Sequence, residues 1–93
     1  MTTERFASVW DAITDTGEEA ENMKQRSALI MALERRIREA GWTQAIAAER
    51  LGVTQPRISD LMRGKIDLFS LDMLVKMATA AGLKVEMRVV DAA

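Results

Sequence analysis

The chain has 93 residues, which is enough for one small domain with a modest core that often relies on a second copy for stability. It contains no cysteine and no histidine, which excludes disulfides, the usual zinc sites and cysteine or histidine catalysis, and we expect no cofactor. The net charge of −1 is uneven, because residues 1–23 hold one arginine against six carboxylates and the remainder carries +4. This asymmetry indicates two different partners, unless it reflects only a soluble acidic surface.

Membrane and enzyme functions find no support in the sequence. The longest uninterrupted apolar run, residues 28–33, is too short to span a bilayer, and the N-terminus lacks the basic and apolar parts of a signal peptide. No set of residues supplies a nucleophile, a base and an oxyanion site together. We therefore expect a cytoplasmic protein that is not an enzyme and has no membrane partner.

The N-terminal segment, residues 1–17, is predicted to be an acidic helical arm. Four apolar side chains fall at the i, i+3, i+4, i+7 spacing of one helix face: Phe6, Val9, Trp10 and Ile13. Such a short helix either folds back onto its own domain or anchors in a groove of another protein. Gly17, after Asp15 and Thr16, marks the expected hinge.

A single long helix is predicted from about residue 18 to residue 40, with Gly41 ending it. Its semi-apolar face consists of Ala20, Met23, Ser27, Ile30, Leu33 and Ile37. Trp42 follows at once, and we expect it either to plug a corner of the core or to lie exposed at a partner surface.

The stretch from Gln44 to Arg63 has the spacing of a DNA-binding helix-turn-helix. Ala47 and Ala48 are small enough for two helices to cross closely, and Gly52 allows the left-handed turn between them. Thr43 and Thr54 are good N-caps, so the two helices are predicted at roughly 44–51 and 55–62. Apolar residues expected to hold the second helix on the first are Val53, Ile58 and Leu61. A plain helical hairpin with an accidental glycine is the alternative.

A short irregular connection and one more helix complete the predicted core. Ile66, Leu68 and Phe69 are expected to point inward. The last helix begins after Ser70 and ends at Gly82, with an apolar face formed by Leu71, Leu74, Val75, Ala78 and Ala81. Residues 18–82 thus form an all-α helix-turn-helix domain.

The final segment, residues 83–93, changes to a period of two. Lys84, Glu86 and Arg88 alternate with apolar side chains, which is typical of a half-buried β-strand. A lone strand needs a partner, such as the same strand of a second copy. Antiparallel pairing centred on Met87 places Glu86 opposite Arg88, and pairing centred on Val85 places Lys84 opposite Glu86. We therefore predict a homodimer made by the apolar residues Leu83, Val85, Met87 and Val89. A frayed tail, or a strand received by another protein, is the alternative.

The predicted contacts with double-stranded operator DNA follow from helix-turn-helix geometry, in which the second helix enters the major groove. Gln55 suits adenine and Arg57 suits guanine. Asp60 either accepts from cytosine or orients Arg57 or Arg63 from behind. The candidates for reading bases are Thr54, Gln55, Pro56, Arg57, Ser59 and Asp60. The candidates for binding phosphates are Thr43, Gln44, Arg63 and Lys65. For each residue the alternative is an ordinary exposed polar side chain.

Two sets of residues resemble a known family. The segment TQAIAAERLGVTQPRISDLMRGK resembles the helix-turn-helix of the Xre and lambdoid-repressor superfamily. The segments FASVWDAI and LDMLVKMATAAGLKVEMRV are similar to the HigA-like antitoxin branch. This resemblance implies a lambda repressor-like fold and a small dimeric repressor. Such a repressor neutralises a RelE-like or HigB-like ribonuclease toxin and represses its own operon.

The acidic arm fits that implication, because toxins that bind RNA are usually basic. Complementary charge speeds encounter, so we hypothesise that Phe6, Val9, Trp10 and Ile13 bind a small basic toxin. Three functions remain open. The favoured one is a repressor that is also the antitoxin of a type II toxin-antitoxin pair. The others are a stand-alone Xre-type transcriptional regulator without a toxin, and a protein-interaction module that no longer binds DNA.

Overall fold

Helix α1 (Thr16–Ala40) is the longest element of the computed structural model, which describes residues 16–92. Residues 1–15 of the predicted arm, with the face of Phe6, Val9, Trp10 and Ile13, lie outside the described residues. Helix α1 already begins at Thr16, so Gly17 lies within the helix and the predicted break at this residue is wrong. Helix α1 buries Ile30, Leu33 and Ile37, which recur at helical spacing. Ala20 and Met23 are exposed, so only the C-terminal half of the predicted face joins the core.

Three further helices and one 3₁₀ turn follow in the order that the sequence predicts. They are α2 (Gln44–Leu51), α3 (Gln55–Met62), the turn η1 (Ile66–Leu68) and α4 (Leu71–Ala80). Helix α1 packs against α4, η1 and α3, while α2 packs against α3 and α4. The described residues are therefore all-α, and none of their helices has the length and apolar character needed to cross a membrane. The fully buried large side chains are Leu33, Ile58, Leu61, Phe69, Leu74 and Met77.

The four α-helices of residues 16–92 end in the same way, with a glycine in the left-handed region. At Gly52, φ is +70°, and the following amide of Val53 donates to the carbonyl of Ala48 at 3.0 Å. This bond satisfies a carbonyl that the end of the helix leaves free, as in a Schellman motif. The same pattern of bonds occurs at Gly41, Gly64 and Gly82.

The connection between α3 and α4 corrects one prediction. Phe69 is buried and Ile66 is half-buried as expected, but Leu68 is 46% exposed, so its predicted inward orientation is wrong. A 3₁₀ turn has three residues per turn, so residues 66 and 69 share one side and residue 68 points elsewhere. On α4, Met77 is buried although it was not included in the predicted face.

The predicted C-terminal strand is not present among the described residues. Leu83 packs against the core, and its amide donates to the carbonyl of Ala78 at 2.9 Å. Beyond it, residues 84–92 have no regular secondary structure, and Met87 and Val89 are 77% and 84% exposed. A strand requires a neighbouring strand for its amides and carbonyls, and residues 16–92 of this one chain supply none.

Candidate nucleic-acid interface

The turn between α2 and α3 has the geometry that the sequence predicts for a helix-turn-helix. Ala47 and Ala48 are buried in α2, and Ile58 and Leu61 are fully buried in α3. The two helices pack directly against each other, with the left-handed Gly52 between them. Small side chains on one helix and branched ones on the other therefore hold α3 at a defined angle, with its other side free for a ligand.

Both helices begin with a threonine cap. The hydroxyl oxygen of Thr43 accepts from the amide of Ile46 at 3.2 Å, and that of Thr54 accepts from the amide of Arg57 at 3.3 Å. A hydroxyl that accepts one bond keeps its own proton to donate. The two predicted DNA contacts therefore sit at helix N-termini, where amide dipoles also favour a phosphate.

The N-terminal part of α3 presents the side chains predicted to read bases. Gln55 and Pro56 are exposed, while Ser59 and Asp60 are half-buried. Pro56 is accommodated because the first helical turn leaves its amide positions without an intrahelical acceptor. The residues predicted to bind phosphates, Thr43, Gln44, Arg63 and Lys65, are all exposed.

Arg57 differs from its neighbours, because its guanidinium is already engaged within the protein. Its Nη1 atom donates to the carbonyl oxygen of Leu68 at 3.0 Å. Its Cζ atom lies 5.5 Å from the centre of the buried Phe69 ring, within the range of a cation–π contact. The side chain thus reaches across to the connection between α3 and α4. Base reading by Arg57 stays a prediction.

Asp60 forms an ion pair with Lys65, with 3.9 Å between the Oδ1 and Nζ atoms. The sequence prediction named Arg57 or Arg63 as the cation that Asp60 orients, whereas this pair joins it to Lys65. The Lys65 side chain is 46% exposed, and such solvent-screened pairs contribute little energy. Lys65 can therefore exchange this partner for a phosphate at small cost.

Two features of this region were not predicted from the sequence. Ile46, two residues after Gln44, exposes its apolar side chain at the start of α2. Arg50 lies over the ring of the half-buried Trp42, with 5.3 Å between its Cζ atom and the ring centre. The sequence signal for Ile46 is its position, since it is an apolar residue close to the predicted phosphate contacts. Trp42 therefore packs against the core, and the guanidinium of Arg50 lies over its ring.

The predicted dimerisation residues of the tail lie apart from this surface. The tail residues Leu83, Val85 and Met87 border a groove together with residues of α1 and α4, and no residue of α2 or α3 lines it. The proposed toxin-binding residues Phe6, Val9, Trp10 and Ile13 are outside the described residues. Residues 16–92 contain no cluster of carboxylates that could hold a metal ion. Four basic and two acidic residues lie between positions 43 and 65, which suits a polyanion.

Comparisons with known proteins agree with this geometry. Residues 12–90 match the model of a family described as a helix-turn-helix domain. A solved structure, named provisionally as an XRE family transcriptional regulator, is 34% identical to this chain and superposes with a TM-score of 0.74. The match covers 78% of this chain and 82% of that one. No curated protein matches. The chain therefore belongs to the Xre-type helix-turn-helix family.

Proposed function

We propose that this protein is a sequence-specific DNA-binding transcriptional repressor. The observation that carries the proposal is the exposed N-terminal side of α3, where the side chains of Gln55 and Pro56 are exposed. Ile58 and Leu61, on the buried side of the same helix, pack it against the core. In a helix-turn-helix complex, these first residues of the second helix meet base edges in the major groove. Phosphate contacts from Thr43, Gln44, Arg63 and Lys65 then fix the register on the duplex.

Selection from a random-sequence duplex library tests this proposal, using the full chain at about physiological salt. Sequencing of the bound fraction should show a defined motif, since base contacts discriminate between sequences by roughly 1 to 3 kcal/mol per pair. A matched selection with Gln44→Ala and Lys65→Gln combined should recover the same motif in lower yield, because phosphate contacts carry no sequence information. Binding without any enriched motif would contradict sequence-specific repression.

The finer proposal is that the protein is a HigA-like antitoxin that neutralises a small basic HigB/RelE-like toxin and represses its own operon in the cytoplasm. It is supported by the sequence of the arm, residues 1–17, where acidic residues surround the apolar set of Phe6, Val9, Trp10 and Ile13. Acidic charge speeds encounter with a basic partner, and buried aromatic anchors supply most of the affinity in many interfaces. The resemblance of residues 6–13 and 71–89 to antitoxins adds to this support.

Affinity capture from the native host, read by mass spectrometry, tests the antitoxin proposal. The full chain is compared with a chain lacking residues 1–17 and with two full-length variants, Trp10→Ala and the control Ser8→Ala. A small basic protein captured by the full chain and the control, and lost from the other two, would support a toxin bound through the arm. Capture by all four would move the interface elsewhere. Capture by none would favour a stand-alone Xre-type regulator.

We also propose that the active form is a homodimer joined through the tail. Four of the exposed large apolar side chains lie within a few residues of each other there, namely Val85, Met87, Val89 and Val90. Within the described chain, the backbone of residues 84–92 takes part in no backbone–backbone hydrogen bond. The tail of a second copy, paired antiparallel, would supply hydrogen bonds to this backbone and would also bury these apolar side chains. If this dimer binds DNA, we expect half-sites about 34 Å apart, one turn of DNA, with one copy of α3 at each.

A further inference from the structure

The segment from Ile66 to Phe69 is held by two arginines that come from different helices. Arg26 of α1 donates from Nη1 to the carbonyl oxygens of Ile66, at 3.0 Å, and Phe69, at 3.4 Å. Arg57 of α3 donates to the carbonyl oxygen of Leu68 at 3.0 Å. Three carbonyls of one short segment therefore accept from two cations, across separations of 40, 43 and 11 positions in the chain.

Both arginines are themselves held in place. The Nε atom of Arg26 donates to the Asn22 side chain, one turn earlier in α1, at 2.7 Å. The guanidinium of Arg57 covers the ring of Phe69, which is only 2% exposed. A guanidinium has several donors in a rigid plane, so it can hold a carbonyl and lie over a ring at the same time. The two side chains thus form a clamp on residues 66–69.

The clamp is connected directly to the predicted phosphate contacts. The amide of Ile66 donates to the carbonyl of Gly64 at 2.8 Å, and the amide of Leu68 donates to that of Lys65 at 3.1 Å. The amide of Lys65 in turn donates to the carbonyl of Asp60 at 3.1 Å. Hydrogen bonds of the backbone therefore link the 66–69 segment, through Lys65, to the C-terminal part of α3.

From these contacts we infer that Arg26 and Arg57 are positioning residues for the DNA surface, and that Arg57 acts through the 66–69 segment and not by reading a base. The inference deepens the proposed function and rests on it. It assigns sequence reading in the first turn of α3 to Gln55 and Pro56. It also gives Arg26, on a helix outside the helix-turn-helix, the same role as Arg57.

The test compares Arg57→Gln with Arg26→Gln in the full chain. A matched control, Lys24→Gln, removes the same charge from the exposed face of α1 two residues away. Each protein is titrated by fluorescence anisotropy against the duplex selected by the unmodified chain and against a scrambled duplex, at several salt concentrations. A full set of single base-pair changes in the selected duplex then gives the base preference of each variant.

We expect both clamp variants to lose affinity for the selected and scrambled duplexes by the same factor. The slope of log affinity against log salt should become shallower by about one in both, since one phosphate contact is lost. The base preference should stay unchanged, and Lys24→Gln should behave as the unmodified chain. A merely structural role would lower the thermal midpoint and leave the salt slope of the folded protein as it was, which would overturn the inference.

Two other outcomes separate this inference from the proposed function. If Arg57→Gln alone loses its preference at one base pair while Arg26→Gln does not, Arg57 reads a base and the clamp role is wrong, although the protein remains a specific DNA binder. If the unmodified chain selects no motif, the proposed function itself fails. Arg57→Lys provides a second variant should Arg57→Gln not fold. It keeps the charge, and it should show the same shallower salt slope because an ammonium cannot reproduce the planar contact.

Discussion

The amide of Val53 donates to the carbonyl of Ala48 at 3.0 Å, and this bond closes the turn between the two helices of the motif. It forms only because Gly52, between them, takes a φ of +70°. Apart from Gly52 itself and its two chain neighbours, no atom lies within 4 Å of the position that a Cβ atom would occupy at Gly52. Glycine is therefore required there for its backbone conformation and not for lack of space.

Replacing Gly52 tests this reading of the turn. Gly52→Ala should lower the free energy of unfolding by about 1 to 2 kcal/mol, the cost of a left-handed backbone for a residue with a Cβ atom. Gly52→Asn should lose less, because asparagine tolerates that conformation. Denaturant titration followed by circular dichroism, at one protein concentration, measures both. Equal losses for the two variants would point to a steric cause instead.

Two apolar residues of α1, one buried and one exposed, test whether burial decides how much an apolar side chain stabilises the fold. Leu33 is 0% exposed and Met31 is 61% exposed, although they are only two positions apart on the same helix. Leu33→Ala should cost roughly 2 to 5 kcal/mol through lost contacts and a residual cavity. Met31→Ala should change stability by less than about 0.5 kcal/mol. The same denaturant titration compares them, and a costly Met31→Ala would indicate that a partner or the arm covers this side of α1.

The elements of the motif were predictable because their signals are local. Threonine caps at residues 43 and 54 and the glycine at residue 52 each act within one helical turn, and the structure confirms α2 at 44–51 and α3 at 55–62. The contacts of Arg57 with the 66–69 segment depend instead on how α3, η1 and α4 come together. No pattern of neighbouring residues encodes them, and the same holds for Arg26, whose partners lie 40 or more positions away.

The orientation of Leu68 and the absence of a strand among the described tail residues also depend on non-local information. The apolar character of Leu68 predicts an inward position, but the 3₁₀ geometry of a three-residue turn points its side chain outward. The alternation in the tail predicts which side chains would share one face of a strand. Whether a strand forms depends on a neighbouring strand to pair with. The alternation at residues 83–89 therefore bears on the proposed pairing with a second copy, which a single chain does not test.

The tail dimer makes a prediction about oligomeric state. Met87→Asp should convert the dimer to a monomer at micromolar concentration, because it places a charge on the apolar side of the proposed strand pair. Glu86→Gln, on the opposite side of the strand, is the matched control and should remain dimeric. Light scattering coupled to size exclusion distinguishes the two masses. A monomer for the unmodified chain would contradict the dimer at once.

Lys65 should contribute to affinity and not to specificity. Lys65→Gln is expected to weaken binding to all duplexes alike and to reduce the salt slope by about one, as for the loss of one phosphate contact. Lys76→Gln removes an equal charge from α4, outside the helix-turn-helix, where the side chain is 80% exposed beside Asp72. This control should leave the slope unchanged. A loss of preference at one base pair in Lys65→Gln would show that Lys65 reads sequence.

The central claim, that the first turn of α3 reads bases, is tested most directly at Gln55. The unmodified chain and Gln55→Ala are each used to select duplexes from the same random library, and the two base preferences are compared position by position. We expect both to enrich the same motif except at one base pair per half-site, where Gln55→Ala loses about 1 to 3 kcal/mol of discrimination. Identical preferences at every position, or no enriched motif for the unmodified chain, would contradict the account.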